Sequence, residues 1–244
     1  MSAGPGWSHF PRCGWLAANA MVIVILTLVS AAHGATHAVI LSVPEYRSLP
    51  YPLPVARASA NLMRRTLADR LRLPRGAIYT YRGAEVTRAS VREILRDHLP
   101  RDLKQGDLLI LYYAGHASLG YVSGAPVRLY FTYETTELGG RGEAGARWDP
   151  DTVIADPDLQ EWLGPLHEIG VKTLFLRECC FDAEGYSAAI RDAAPVSGEA
   201  VSEVSVATYE LSACSPGQGA YAMDASGESI GAFTWSFCKA LAEV

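Results

Sequence analysis

DLLILYYAGH, residues Asp107–His116, decides how this chain is read. Leu108–Ala114 is a short, unbroken apolar run between a charge and a glycine. Such a run reads as a strand buried on both faces. It delivers a histidine at its end. VKTLFLRECC, Val171–Cys180, repeats the design and delivers two cysteines. In a parallel sheet the carboxyl ends of neighbouring strands open onto one crevice. If these two strands are neighbours, an imidazole and a thiol face each other, the minimum equipment for thiolate chemistry.

Working outward, Ala38–Val43 reads as another buried strand. The Pro/Tyr-rich segment Pro44–Pro54 reads as a loop, and Pro54 opens a helix to about Arg72. Val55, Leu62, Met63, Leu67 and Leu71 recur near helical spacing on it. Ala77–Tyr81 alternates as a strand. Thr87 or Ser90 starts a helix, Ser90-Val-Arg-Glu93 matching a capping box. Its apolar face is Val91, Ile94, Leu95 and Leu99. Val127–Thr135 is expected as a rim strand and Gly139–Asp149 as a mobile loop. Asp156 is expected to cap a helix running to Leu166, with Pro157 at its first position. Asp182–Glu203 reads as loop. Val204–Ala213 reads as a strand ending at Cys214, and Gly231–Val244 as a closing helix. Strands alternating with helices predict an α/β fold with a mainly parallel central sheet covered on both faces.

The chain has 244 residues, 49% of them hydrophobic, and a net charge of −5. No basic stripe dominates, so no nucleic-acid partner is expected. Arg64, Arg65, Arg70, Arg72 and Arg75 read as a solvated helix flank. Residues 1–34 read as an export signal. Arg12 supplies the positive region, Met21–Val29 the apolar core, and Ala32 and Gly34 the small residues before a cut near Ala35. The alternative is an uncleaved membrane anchor formed by Trp15–Val29. A mature chain of about 210 residues suits one domain, 35–244. Cys13 lies in the signal. Cys179, Cys180, Cys214 and Cys238 fit no metal-ligand spacing and at most one disulfide.

Three segments carry a family resemblance. YYAGH, Tyr112–His116, resembles the Tyr-Ser-Gly-His-Gly motif of caspase-like peptidases. LFLRECC, Leu174–Cys180, resembles their Asp-x-Cys nucleophile strand, Asp-Cys-Cys-His-Ser-Gly in metacaspases. LSACSPGQGAY, Leu211–Tyr221, followed by GAFTWSF, Gly231–Phe237, resembles the late segment of bacterial caspase-like proteins. The resemblance spans about Ala38–Val244 and implies a caspase-like three-layer sandwich. It makes Cys180 the nucleophile and His116 the base, with a backbone carbonyl orienting the histidine. It places the backbone N–H groups of Cys180 and Ala117 in the oxyanion hole. It implies a protein or peptide substrate and no cofactor.

The chain departs from the family pattern at four places. Glu178 stands for the aspartate before the nucleophile, Phe181-Asp-Ala for His-Ser-Gly, and Ala117 for the glycine after the histidine. Ala222 stands where metacaspases carry a second acid for a basic P1 side chain. Among substrate-binding residues this leaves Glu178 as the acid, with Asp182 or Asp224 as compensating neighbours. Cys214 is expected as a pocket wall, or as an oxidation partner of Cys180. By strand alternation Cys179 points away from the crevice. Tyr112 and Tyr113 are expected in the core. Besides an endopeptidase, the pattern accommodates a catalytically silent domain that binds a partner, and another thiol hydrolase on the same scaffold.

Overall fold

The computed structural model describes residues 34–122, 125–138, 147–180, 207–214, 219–225 and 227–243. Five parallel strands form the central sheet: β1 (Thr36–Ser42), β2 (Ile78–Arg82), β3 (Leu108–Ala114), β9 (Lys172–Glu178) and β10 (Thr208–Ser212). Their spatial order is β10-β9-β3-β1-β2. β3 is the middle strand, and all seven of its residues are buried. That is why its sequence is continuous rather than alternating.

Strand parity divides the core in two. Even-numbered β3 residues Leu108, Ile110 and Tyr112 join Leu174 and Leu176 of β9 on one face. There α1 (Pro54–Arg70) and α5 (Ala232–Ala242) cover them, through Ala56, Ala60, Met63 and Leu67 of α1 and Phe237, Cys238 and Leu241 of α5. Of the apolar residues expected on α1, Met63 and Leu67 are buried; alanines and Ser59 complete the packed face. Small side chains let the helix approach the sheet closely.

Odd-numbered Leu109, Leu111 and Tyr113 face the other layer. It is built by α2 (Arg88–Arg92), a π-helical continuation (Glu93–His98), α3 (Leu99–Asp102) and α4 (Asp156–Glu168). Val91, Ile94, Leu95 and Leu99 form the inner face as expected, joined by Leu159, Trp162, Leu163 and Leu166 of α4. The result is the α/β three-layer sandwich with a mainly parallel sheet.

A second, antiparallel sheet caps this side: β4 (Ala117–Val122), β5 (Ala125–Phe131) and β8 (Val153–Ala155) in the order β4-β5-β8. β6 (Glu137–Leu138) pairs with β7 (Arg147–Trp148), the latter at the end of the segment expected to be loop. β11 (Ala222–Ala225) and β12 (Glu228–Gly231) form a hairpin before α5.

Several local expectations shift. β4, β8 and the β11–β12 hairpin were not anticipated. The rim strand stops at Phe131, because Thr132 N–H turns to the Thr135 hydroxyl. Thr87, not Ser90, caps α2; the Ser90 hydroxyl returns the favour at Thr87 N–H, both at 3.0 Å. α4 begins at Asp156 with Ala155 as its cap residue. Asp156 cannot cap because its carboxylate accepts from the Tyr130 hydroxyl at 2.9 Å and sits by Arg128. Asp158 instead reaches back to Ala155 N–H at 2.8 Å. The expected loop Asp182–Glu203, residues 1–33 and residues 139–146 lie outside the described residues.

The chain runs from β1 to β2 on one side, then returns to place β3 on the other side of β1. Connections therefore leave β1 and β3 in opposite directions, which makes the carboxyl ends of these strands the switch point of the sheet. His116 emerges at that point.

Candidate active site

β3 and β9 are hydrogen-bonded neighbours in register, with Ala114 opposite Glu178. Gly115 N–H continues the ladder to the Glu178 carbonyl at 3.4 Å. His116 and Cys180 each lie two residues beyond this pair, so the register carries both to the same end of the sheet, just past adjacent strands. Both are half-buried.

The histidine is fixed at every polar atom of its own peptide. Its N–H donates to the Tyr46 hydroxyl at 2.6 Å. Its carbonyl accepts from the Tyr113 hydroxyl at 2.5 Å and from Phe131 N–H at 3.0 Å. The imidazole stacks on the Tyr46 ring, with centroids 5.3 Å apart and planes 30° apart. Nε2 lies 3.1 Å from the Tyr51 carbonyl. A carbonyl only accepts, so Nε2 carries the proton and Nδ1 keeps its lone pair. Burial lowers the imidazole pKa, with the Tyr51 carbonyl opposing. The ring is therefore neutral at neutral pH and able to accept a proton.

Gly115 must be a glycine for steric reasons. A Cβ there would lie 2.4 Å from the Tyr113 hydroxyl oxygen and 3.3 Å from that of Tyr46.

Ala117 is buried and opens β4 opposite Tyr130. Phe131 N–H bonds the His116 carbonyl, which makes Ala117–Tyr130 a non-hydrogen-bonded pair of the ladder. In such a pair the residue's own N–H points away from its partner strand. β4 is an edge strand, so this N–H is not taken by the rim sheet.

On the cysteine side the alternation holds. Cys179 is buried in the layer of Phe175 and Tyr113, and burial pushes its thiol pKa well up. The Cys180 sulfur is 3.1 Å from Ala220 N–H, which donates to it, and 3.8 Å from the Ala220 carbonyl. Cys214 packs on the Cys179 side, its thiol donating to the Cys179 carbonyl at 3.3 Å. Cys179, Cys180, Cys214 and Cys238 are all free thiols.

Glu178, expected as a substrate acid, is turned toward the start of α5. It is 6% exposed, and its carboxylate accepts from Thr234 N–H at 2.7 Å, near the first turn of α5. A Cβ on Gly231 would lie 2.1 Å from its carboxyl carbon. Parity explains the placement: Glu178 follows Leu174 and Leu176 onto the α1/α5 face, where the start of a helix presents unsatisfied amides. Burial raises its pKa, with the Thr234 bonds opposing. Ala222 is exposed and pairs with Gly231, so it stands near Glu178 across one backbone. It supplies no charge. Asp224, on the same strand, is exposed; Asp182 lies outside the described residues.

Arg177 points to the opposite face. Though only 2% exposed, it bonds Glu210 at 2.5 Å, the Ser212 hydroxyl at 2.8 Å and the Tyr130 hydroxyl at 2.9 Å. Arg128 and Asp156 complete this buried ionic group. Sequence reasoning missed Tyr46, Tyr51 and Ala220 and gave Tyr113 only a packing role. Two tyrosines in a short proline-rich loop beside a histidine strand were the one available signal. The contribution of Ala220 is a backbone atom, which no side-chain pattern announces.

Comparison with known proteins bears on the fold and the family. Among solved structures the chain resembles caspase-1 from Spodoptera frugiperda, with TM-score 0.50 and 12% identity, over 84% of this chain and 67% of that one. That likeness is one of fold. A Geobacter sulfurreducens protein of solved structure matches with TM-score 0.40 and 18% identity, over 60% of this chain. The match spans about half, 51%, of the Geobacter chain. No curated protein matches. The model of the caspase domain matches residues 35–244, and on that match the chain belongs to the caspase-domain family of cysteine-peptidase-type proteins.

Proposed function

We propose that this chain is an exported cysteine endopeptidase that works through His116 and Cys180. One observation carries the reading: the β3–β9 register brings both residues to one end of the sheet, with Nε2 of His116 tied to Tyr51, which leaves the lone pair on Nδ1. Nδ1 takes the thiol proton of Cys180. The thiolate attacks the scissile carbonyl carbon, and the oxyanion forms toward the N–H groups of Ala117 and Cys180. Losing one such donor typically costs about 3 kcal/mol of barrier. The imidazolium returns its proton to the leaving amine as the C–N bond breaks, leaving a thioester. Water, deprotonated by the same imidazole, then releases the acid and restores the thiol.

Glu178 is committed to α5 and Ala222 carries no charge, so the crevice offers a basic P1 side chain little to replace its water. Discrimination for Arg at P1 over Leu or Ala should stay below ~100-fold in kcat/KM, about 2.7 kcal/mol.

Export by residues 1–34, with a cut near Ala35, belongs to the same proposal. N-terminal sequencing of exported protein checks it, and an intact Met1 favours the anchored form.

A second reading is a silent caspase-like domain that binds a partner. The Ala220 backbone lying against the Cys180 sulfur favours it, because an entering substrate must share that space. A peptide library and iodoacetamide separate the two. Cleavage and selective alkylation of Cys180, both lost in Cys180→Ala and cleavage lost in His116→Ala, support the enzyme. An unreactive thiol with no cleavage supports the binding domain.

A further inference from the structure

One loop, residues 43–53, brings three groups to His116, whose imidazole also has the Phe131 ring 6.5 Å away. It brings the Tyr51 carbonyl to Nε2, the Tyr46 hydroxyl to the backbone N–H, and the Tyr46 ring to the face of the imidazole. The loop is itself anchored at several points. Val43 N–H bonds the Ala114 carbonyl at 2.8 Å, Arg47 N–H the Tyr133 carbonyl at 2.8 Å, and Leu53 N–H the Pro44 carbonyl at 2.7 Å. Tyr46 is buried, and Phe131 meets its ring edge-on at 6.4 Å.

A general base must aim a lone pair. The second side-chain torsion of histidine is soft, and its minimum is broad. One bond at Nε2 leaves the ring free to pivot about that atom and swing Nδ1 away from the thiol. A face stacked at 30° removes the pivot. The peptide behind the ring is pinned at the same time, through the hydroxyl of that same tyrosine. We infer that Tyr46 is the positioning residue of the base: its ring sets the plane of the His116 imidazole and its hydroxyl fixes the peptide that carries it. The inference rests on His116 acting as the base.

Among the described residues, the titratable groups bonded to or stacked on His116 are Tyr46 from the loop and Tyr113 from β3; Cys180 lies past the neighbouring strand β9. Burial and the Tyr51 carbonyl are what act on its proton. Removing the Tyr46 ring uncovers one face and lets water reach the imidazolium.

The test uses the full chain with Tyr46→Phe and Tyr46→Leu. The readouts are the NMR titration of the His116 ring, the pH dependence of Cys180 alkylation, and kcat and KM. Tyr46→Phe keeps the stack. It should lower Tm, leave the titration midpoint in place, and hold kcat within about tenfold of wild type. Tyr46→Leu should lower kcat about 100-fold at unchanged KM, the scale of a displaced catalytic group. It should also raise the midpoint and move the onset of alkylation with it. Should Tyr46→Leu fail to fold, the unbranched Tyr46→Met carries the same readouts. A folded Leu or Met variant with the wild-type midpoint and alkylation profile overturns the inference. So does a midpoint that shifts as far in Tyr46→Phe. The titration needs no substrate, so a protein that cleaves no peptide still decides the role of Tyr46. In that case a shifted midpoint keeps the inference and removes the endopeptidase reading.

Discussion

The ends of β3 and β9 lie side by side in the same sheet, yet they are secured by opposite chemistry. Beyond β3 the chain is held by neutral phenols. Tyr46 accepts from His116 N–H, and Tyr113 donates to the His116 carbonyl. Along the end of β9 it is held by ions. Arg177 enters a buried group with Glu210, Arg128 and Asp156 on one face, and Glu178 meets the start of α5 on the other. The difference teaches where each strand end, and the residue just past it, takes its support. The partners of the histidine come from early in the chain, between β1 and β5. Those of the cysteine strand come mainly from β10, the residues before β11, and α5. The setting of His116 is thus complete before β9 begins, whereas that of Cys180 depends on chain that follows it.

The largest effect should follow from removing the ion at the heart of the β9 end. Arg177→Met leaves Glu210 with Arg128 alone, at 3.4 Å, and leaves the Tyr130 hydroxyl without its donor. Breaking a buried pair typically costs about 3–5 kcal/mol, and the partial exposure of Glu210 places this one at about 3. The double variant Arg177→Met/Glu210→Met should recover much of the loss in a denaturant melt. A single-variant loss below about 1 kcal/mol would mean that ions do not hold this strand end.

Each end also rests on a glycine. A Cβ on Gly115 meets the Tyr113 hydroxyl oxygen at 2.4 Å, and a Cβ on Gly231 meets the Glu178 carboxyl carbon at 2.1 Å. Both alanine variants should lose about 1–3 kcal/mol through overpacking. They should differ in function: Gly115→Ala disturbs the peptide before the base and lowers kcat, whereas Gly231→Ala displaces an acid outside the dyad. Equal kcat in the two folded variants would break the comparison. Cys179→Ala, on the face away from the crevice, should lose about 1 kcal/mol by denaturant melt and keep wild-type kcat.

What the sequence disclosed follows from the same division. Continuous apolar runs announced β1, β3 and β9, because strands covered on both faces need no polar alternation. His116 and Cys180 stand out in the sequence because each lies just past such a run. β4 escaped notice since Ala117–Val122, with a serine and a glycine, lacks a clean period, and β8 is three residues long. The setting of Glu178 is not legible in the sequence, for a physical reason. A motif gives the residue two before the nucleophile, but the partner that turns its carboxylate inward, Thr234 N–H, is a backbone group 56 positions later.

Glu178 also gives the smallest and most diagnostic effect. Its folded pKa lies above the ordinary 4.5, first because burial disfavours the charge, while the bonds from Thr234 oppose that rise. With a raised folded value, the stability linked to this proton is full below about pH 4.5 and is lost as pH climbs through the folded pKa. Glu178→Gln keeps an oxygen that can accept from Thr234 N–H and abolishes the titration. Its Tm should therefore equal or exceed that of wild type at pH 8, and the advantage should shrink or reverse toward pH 4. A glutamine variant less stable at pH 8 than at pH 4, relative to wild type, would show that the ionised carboxylate is worth more to the start of α5 than its burial costs. The β9 end would then be ionic on both faces, and the contrast with the tyrosine-held β3 end would be complete rather than partial.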